Sequence, residues 1–311
     1  MTKIKDLKEK DRLVGRYLIK SCTKGTTSKG APYLNLVLQD NTGSMDAKFW
    51  DVKPEDEKNA DAGKVVDAAI EVILYNHALQ LRVNRITPAD VAEDEMKEYI
   101  QASAIDHDKM REAVYSYAES IRNDKLRRLV LAMLARTQDK FFAYPAASRI
   151  HHGYMGGLAE HTLGMADTAD AVCRQYPQLN RDLLIAGVLV HDMGKTAELG
   201  GLISSEYSLE GRLTRHISIC HGWLCEEADK LGLGSSEETL CLRHMILSHH
   251  GKLEYGSPVA PMLQEAEVLN LIDNLDARMN TLKQAFDTLE SGQWTTRLFA
   301  LENRQFYKPK M

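Results

Sequence analysis

The sequence predicts a multidomain chain of mixed α and β class: an N-terminal five-stranded β-barrel followed by an all-α domain. Three observations carry that expectation. Between residues 12 and 90, apolar side chains recur with period two and turn residues separate the runs. From Asp106 onward the apolar spacing becomes helical. At 311 residues the chain is also long enough for two cores rather than one.

Along the barrel, Gly15–Cys22 is expected as the first strand and Lys24–Gly30 as a flexible basic loop. Leu34, Leu36 and Leu38 then alternate inward, and Asp40-Asn41-Thr42-Gly43 makes a tight turn. In the returning strand Met45, Ala47 and Phe49 share the inner face, which leaves Lys48 and Trp50 on the polar one. After a spacer, Val65–Tyr75 and Ala78–Ile86 complete the set, with Leu79, Leu81 and Val83 inward and Gln80, Arg82 and Asn84 outward. Residues 1–90 make this domain, and 91–105, acidic and without apolar period, make a linker.

Residues 106–302 read as the helical domain. Met110, Val114, Tyr117 and Ile121 form one helix face; Leu126, Leu129, Val130, Met133 and Leu134 form another. Pro145 breaks the chain ahead of a helix with His161, Met165 and Val172. The run from Leu183 to Val190 is a buried helix, with Asn180 and Asp182 as capping candidates, and it delivers His191-Asp192-Met193-Gly194-Lys195. Leu199–Arg215 is expected as a rim loop, followed by helices from about His216 to Leu231 and from Glu237 to Ser248. A Gly/Pro loop leads to a long helix from Met262 that carries Asp273 and Asp276, and 303–311 are expected as a loose tail.

A histidine and a carboxylate at the end of a buried helix need partners, since an unpaired buried charge costs several kcal/mol, roughly. A metal ion would supply the compensation. Further candidate ligands are His161, His216, His249, His250 and Asp273. Mixed imidazole and carboxylate donors suit Mn, Fe, Co, Ni or Zn better than Mg or Ca. Nine of the eleven histidines fall between residues 151 and 250, which argues for a cluster rather than scattered core or surface residues. His221, five residues after His216, points elsewhere on a helix and is read as packing.

No stretch reaches the ~20 apolar residues of a membrane span, and the opening residues carry no apolar signal core. The expected compartment is the cytoplasm, with no membrane partner. Five cysteines without paired spacing read as reduced thiols, Cys220 and Cys225 among them as small core residues. The net charge of −5 is uneven, because residues 1–29 carry nine Lys/Arg against three Asp/Glu and the remainder is about −11. A basic end on an acidic chain suits a polyanion contact, and equally a solvated basic face.

The order His161, His191-Asp192, Asp273 on helices resembles the HD phosphohydrolase superfamily. His216 and His249-His250 resemble the extra ligands of members that hold more than one metal, and Lys195 resembles the lysine that meets a substrate phosphate. The barrel, through Tyr33-Leu-Asn-Leu-Val-Leu-Gln-Asp-Asn-Thr-Gly43 and Ala47-Lys-Phe-Trp-Asp51, resembles a nucleic-acid-binding OB-fold. In such folds exposed rings stack bases while cations track phosphates, which selects Tyr33, Lys48, Trp50 and Arg82. Each ring has a second reading, as cover for the barrel rim.

Together the two halves resemble the YhaM-type 3′-5′ exoribonucleases, through Gly156-Gly-Leu-Ala-Glu-His-Thr162, His191-Asp-Met-Gly-Lys195, His216-Ile-Ser-Ile219, Ser248-His-His-Gly251 and Ile272-Asp-Asn-Leu-Asp-Ala277. Cys220 departs from a glycine expected after the third block, and 72–77 lacks a glycine expected in the last strand pair. The resemblance implies release of nucleotides from single-stranded RNA, with single-stranded DNA and a homo-oligomer left open. It implies one or two divalent ions, Mn²⁺ favoured over Co²⁺, Fe²⁺, Ni²⁺ or Zn²⁺, activating a water for in-line attack. Asp192 and Lys195 would be catalytic, and His152 would meet substrate phosphate or cap the next helix. Two alternatives stand beside this: a nucleotide or cyclic-dinucleotide phosphohydrolase, and a non-catalytic single-strand binder.

Overall fold

The computed structural model describes all residues except 1, 29, 76–77, 104, 147–152, 202–206 and 288, with the backbone alone at 93, 94 and 97. Met1–Ala102 makes one compact unit; Ser103–Gly200 with Tyr207–Met311 makes the second.

In the first unit β1 (Arg12–Thr26), β2 (Pro32–Asp40), β3 (Gly43–Trp50), β4 (Val65–Tyr75) and β5 (Ala78–Pro88) close in the order β1-β2-β3-β5-β4. Parallel pairing of β3 with β5 and antiparallel pairing of β1 with β4 leave no free sheet edge, the closure of an OB-type barrel. Leu34, Leu36, Leu38, Ala47, Phe49, Leu81 and Val83 all lie in its core, as their alternation predicts. The spacer after β3 is a short helix, α1 (Pro54–Asn59).

Four details differ from the sequence reading. β1 runs on through residues expected as loop, because Cys22 pairs with Leu36 and Thr26 with Pro32. Leu79 is exposed, not inward, since it faces the still more exposed Leu74 in the next-to-last pair of the β4–β5 ladder. Asn84 is outward as expected but is a bulge residue: Ala69 faces Arg85 and Ile70 faces Val83, so the alternation beyond it slips by one and Ile86 returns to the core. Finally, much of the expected linker is packed on the barrel. Residues Glu93–Glu98 form a 3₁₀ turn, the Asn41 amide donates to Glu98 O (3.1 Å), and Ile100 is buried.

The second unit packs α2 (His107–Glu119), α3 (Asp124–Ala143), α4 (Gly157–Gln175), α5 (Arg181–Val190), α6 (Lys195–Glu198), α7 (Leu209–Lys230), α8 (Glu237–Ser248) and α9 (Gln264–Asp287) on one core. Leu183 through Val190 are buried on every side, because α3, α4, α8 and α9 surround α5. Asn180 caps α5 by accepting the Leu183 amide at 3.1 Å. Asp182 does not cap it; its carboxylate accepts the Asn123 amide at 2.7 Å and ties α5 to the start of α3. On α2 the buried position is Ala118, while Tyr117 turns its hydroxyl to Asp167 (2.5 Å).

Two more expectations are corrected here. Residues 209–214 are helical, not a rim loop, and α7 kinks at Arg215 (φ 62°); 202–206 fall outside the described residues. The kink accompanies backbone-to-backbone packing that only glycine permits: a Cβ on Gly194 would lie 2.1 Å from His216 O, and one on Gly211 2.1 Å from Glu198 O. The C-terminal residues are not loose. Leu298 pairs with Arg304 and Trp294 with Tyr307, and the Lys308 ammonium donates to the carbonyls of Phe286, in the last turn of α9, and Leu289, just past it (2.8 and 2.6 Å). All five cysteines are free thiols, and no helix among the described residues is long and apolar enough to cross a membrane.

Candidate metal centre and nucleic-acid face

Four elements of the helical unit deliver the histidines. α4 carries His161 in its second turn, α5 ends at His191 with Asp192 following, α7 restarts after its kink at His216, and α8 ends at His249-His250. Asp273 comes from the middle of α9. Asp192 is at the centre. Its Oδ2 lies 3.3 Å from His191 Nε2 and 3.8 Å from His161 Nε2, and its Oδ1 lies 3.4 Å from His216 Nε2 and 3.7 Å from His249 Nε2. Two groups with metal-ligand spacing result: His161, His191 and Asp192; and Asp192, His216, His249 and His250. Asp273 belongs to neither tight group; its Oδ1 lies 3.3 Å from His161 Nε2.

Every one of these rings is held by its Nδ1. His161 Nδ1 meets Asp276 Oδ2 (2.6 Å) and His216 Nδ1 meets Glu198 Oε2 (3.1 Å). His191, His249 and His250 use the carbonyls of Val188 (2.8 Å), Ile246 (2.7 Å) and Tyr255 (2.7 Å). An Nδ1 that donates its proton leaves Nε2 as a bare lone pair, the tautomer a metal takes. Among the described residues, the Nε2 atoms of His191, His216 and His249 and the Oδ1 of Asp192 are buried without a hydrogen-bond partner. Orphaned buried donors and acceptors are rare because each costs about 1–3 kcal/mol. This set of nitrogens and one shared carboxylate fits a pair of borderline divalent cations.

The electrostatics agree. Burial opposes a charged Asp192, but Lys195 and His191 outweigh it and hold the carboxyl well below its usual range. Lys195 Nζ lies 2.5 Å from Asp192 Oδ2; burial alone would lower the ammonium's pKa, yet Asp192 and Asp273 raise it, so the lysine stays charged. At His161 burial is likewise overcome, by Asp273 and Asp276, and the pKa rises to about 9, so an ion at Nε2 would have to displace a proton there. Burial keeps His249 and His250 neutral-leaning, with pKa values below the usual imidazole range. Burial pushes the Cys220 thiol up to about 12 and its S–H donates to Val190 O (3.0 Å), so it is a core residue and no thiolate ligand. His221 faces Arg243 and Cys225, away from the cluster.

Beside the cluster opens a cavity of about 580 Å³ whose wall includes Lys195, His250, Asp273, Asn274, Arg278 and Glu302. Glu198, Asn270 and Arg278 were not legible as functional residues in the sequence. Asn270 donates to His249 O (2.7 Å) and holds the turn that presents both histidines, where Gly251 has φ 76°. The available signal for Glu198 was its place three residues past Lys195; nothing local marks Asn270 or Arg278. His152 lies outside the described residues.

On the barrel, Tyr33 and Trp50 are cross-strand partners with ring centroids 4.7 Å apart, and Asn35–Lys48 is the next outward pair. Lys48 hydrogen-bonds Asn35, sits 5.2 Å from the centre of the Tyr33 ring and is in register with Arg82 of β5. The four residues thus form one outward patch across β2, β3 and β5, with Trp50 41% exposed. Arg82 itself lies 3.8 Å from Glu71, and of the basic N-terminal stretch Arg12 also meets Glu71, Arg16 meets Asp67 and Lys24 meets Glu57.

Residues 158–278 match the HD domain family model, a span that contains both groups of histidines and Asp273. A solved structure of the second OB-fold domain of replication protein A from Methanococcus maripaludis aligns with 29% of this chain and 96% of its own, at 17% identity and a TM-score of 0.25. Over 293 residues, 94% of this chain and 90% of the relative, the sequence is 44% identical to the 3′-5′ exoribonuclease YhaM of Geobacillus sp. (strain WCH70). With that identity over nearly its whole length, and with both the closed barrel and the His-Asp cluster in place, the chain belongs to the YhaM family of 3′-5′ exoribonucleases.

Proposed function

We propose that this protein is a metal-dependent 3′-5′ exoribonuclease that hydrolyses the terminal phosphodiester of single-stranded RNA, and of single-stranded DNA as a second substrate. The observation that carries the reading is the convergence of the buried Nε2 atoms of His161, His191, His216 and His249 on the shared carboxylate of Asp192. His161, His191 and Asp192, with Asp273 alongside, would hold one ion; Asp192, His216, His249 and His250 would hold the second. When bound, the ions supply an acidified water and positive charge beside the phosphoryl oxygens. The family resemblance favours Mn²⁺, and the imidazole-rich set without thiolate also suits Co²⁺, Fe²⁺, Ni²⁺ and Zn²⁺.

The chain's own residues do the rest. Asp192 orients the attacking water while it anchors the ions. The Lys195 ammonium, on the wall of the cavity, neutralises charge that builds on the phosphoryl group. On the barrel, Tyr33 and Trp50 offer π-faces, and Lys48 and Arg82 offer cations, to an unpaired strand. The free thiols suit a reducing cytoplasm.

An end-labelled single-stranded RNA, incubated with chelator-treated protein before and after Mn²⁺ is restored, tests the proposal. Metal-dependent loss of nucleotides from the 3′ end is expected. Cleavage of small nucleotides with intact RNA would indicate a nucleotide phosphohydrolase, and tight binding without cleavage would indicate a single-strand binder.

A further inference from the structure

Arg278 lies five residues past Asp273 on α9, a rise of roughly 7.5 Å along the helix axis, and both line the same cavity as Lys195. Its guanidinium is gripped by one partner. Nη1 and Nη2 donate to the two oxygens of Glu302 at 2.7 and 3.1 Å, a bidentate pair that fixes the plane of the fork. Arg304 also donates to Glu302 (2.6 Å), so the group of three carries one net positive charge. Glu302 reaches this place at a conformational cost: it and Asn303 both have left-handed backbone (φ 54° and 56°), where the chain turns between Leu298 and its bridge partner Arg304. Among the described residues no other acceptor takes the remaining N–H groups of Arg278, which is half-buried.

A fixed guanidinium with donors to spare, on the wall of a cavity that also takes in His250 and Asp273, matches a phosphate ester. The scissile phosphate already has Lys195. We infer that Arg278 binds the next phosphate upstream, on the 5′ side of the penultimate nucleotide, with Glu302 as the positioning residue that sets the guanidinium plane. The distance along α9 from Asp273 is comparable with the span of one nucleotide. This rests on the exoribonuclease reading above. The consequence is selectivity: a chain end that brings an upstream phosphate is held by two cations, whereas a dinucleotide that lacks it is held by one.

Two dinucleotides separate the possibilities, one with a 5′-phosphate (pNpN) and one without (NpN), each with a free 3′-hydroxyl. Kinetic constants are measured with the metal-loaded full chain, and binding is measured by calorimetry with non-hydrolysable analogues. The native protein is expected to prefer pNpN by about tenfold to a hundredfold, the strength of a hydrogen bond between charged groups. In Arg278→Gln that ratio should collapse towards one, through KM and through analogue affinity, with metal content retained. Arg278→Lys should restore part of it, because charge returns without the fork, and Glu302→Gln should lower it to an intermediate value. If the native protein shows no preference, or if Arg278→Gln weakens both dinucleotides equally, Arg278 does not bind the upstream phosphate. If the native protein degrades neither dinucleotide nor long RNA, the exoribonuclease reading fails first and takes this inference with it.

Discussion

Asp276 Oδ2 lies 2.6 Å from Nδ1 of His161, while Asp273, one turn earlier on α9, faces the opposite nitrogen of the same ring at 3.3 Å. One helix thus both orients the imidazole and stands beside its metal-facing atom. Carboxylates in the Asp276 position raise ligand basicity and set the tautomer. Asp276→Asn is expected to weaken metal affinity about 10–100-fold while the helical circular dichroism is kept. Metal titration with a competing chelator measures it; native-like affinity in the variant would show that the ring is held without Asp276.

Asp192 is shared by both groups of candidate ligands, whereas His216 is in only one. Asp192→Ala should therefore empty both positions and abolish hydrolysis, and His191→Ala should also abolish hydrolysis. His216→Ala should remove one ion and keep the other. Elemental analysis of the purified variants distinguishes these outcomes. Equal metal loss in Asp192→Ala and His216→Ala would mean that the two groups do not fill independently.

For Lys195 the ion pair with Asp192 predicts a split effect. A protonated amine cannot ligate a metal, so Lys195→Ala should reduce turnover far more than metal content, with a loss of about 10²-fold or more if it stabilises the transition state. Metal depletion in Lys195→Ala as deep as in His191→Ala would instead assign the lysine a structural role.

Trp50 and Tyr33 share one outward face with Lys48 and Arg82. Removal of a stacking ring should cost about 1–3 kcal/mol in single-strand binding, and long strands should suffer more than dinucleotides. Affinity of the native protein should also fall with salt at a slope of roughly −0.7 per phosphate neutralised. Trp50→Ala and Tyr33→Ala are to be compared on long RNA and on a dinucleotide. Equal effects on both lengths would take this patch out of substrate recognition and leave the rings as cover for the barrel rim.

The sequence by itself determined the barrel core, the helical class of the second half and the chain positions of the clustered histidines. Those features are local: period-two alternation buries Leu34, Leu36 and Leu38, and the apolar run Leu183–Val190, preceded by the cap Asn180 and closed by Gly194, reads as an interior helix. Even there, one bulged residue, Asn84, was enough to shift the alternation and send Ile86 inward. Only the tertiary structure decided what lies between elements distant in the chain. It divided the ligands into two groups about Asp192, put Asp276 and Glu198 behind His161 and His216, and turned Asp182 from its own helix to Asn123. It also folded the C-terminal residues back so that Glu302 meets Arg278. The physical reason is that the spacing of residues along a strand or helix is set by its repeat, whereas a hydrogen bond between side chains remote in sequence depends on how whole elements pack, and no local period records that.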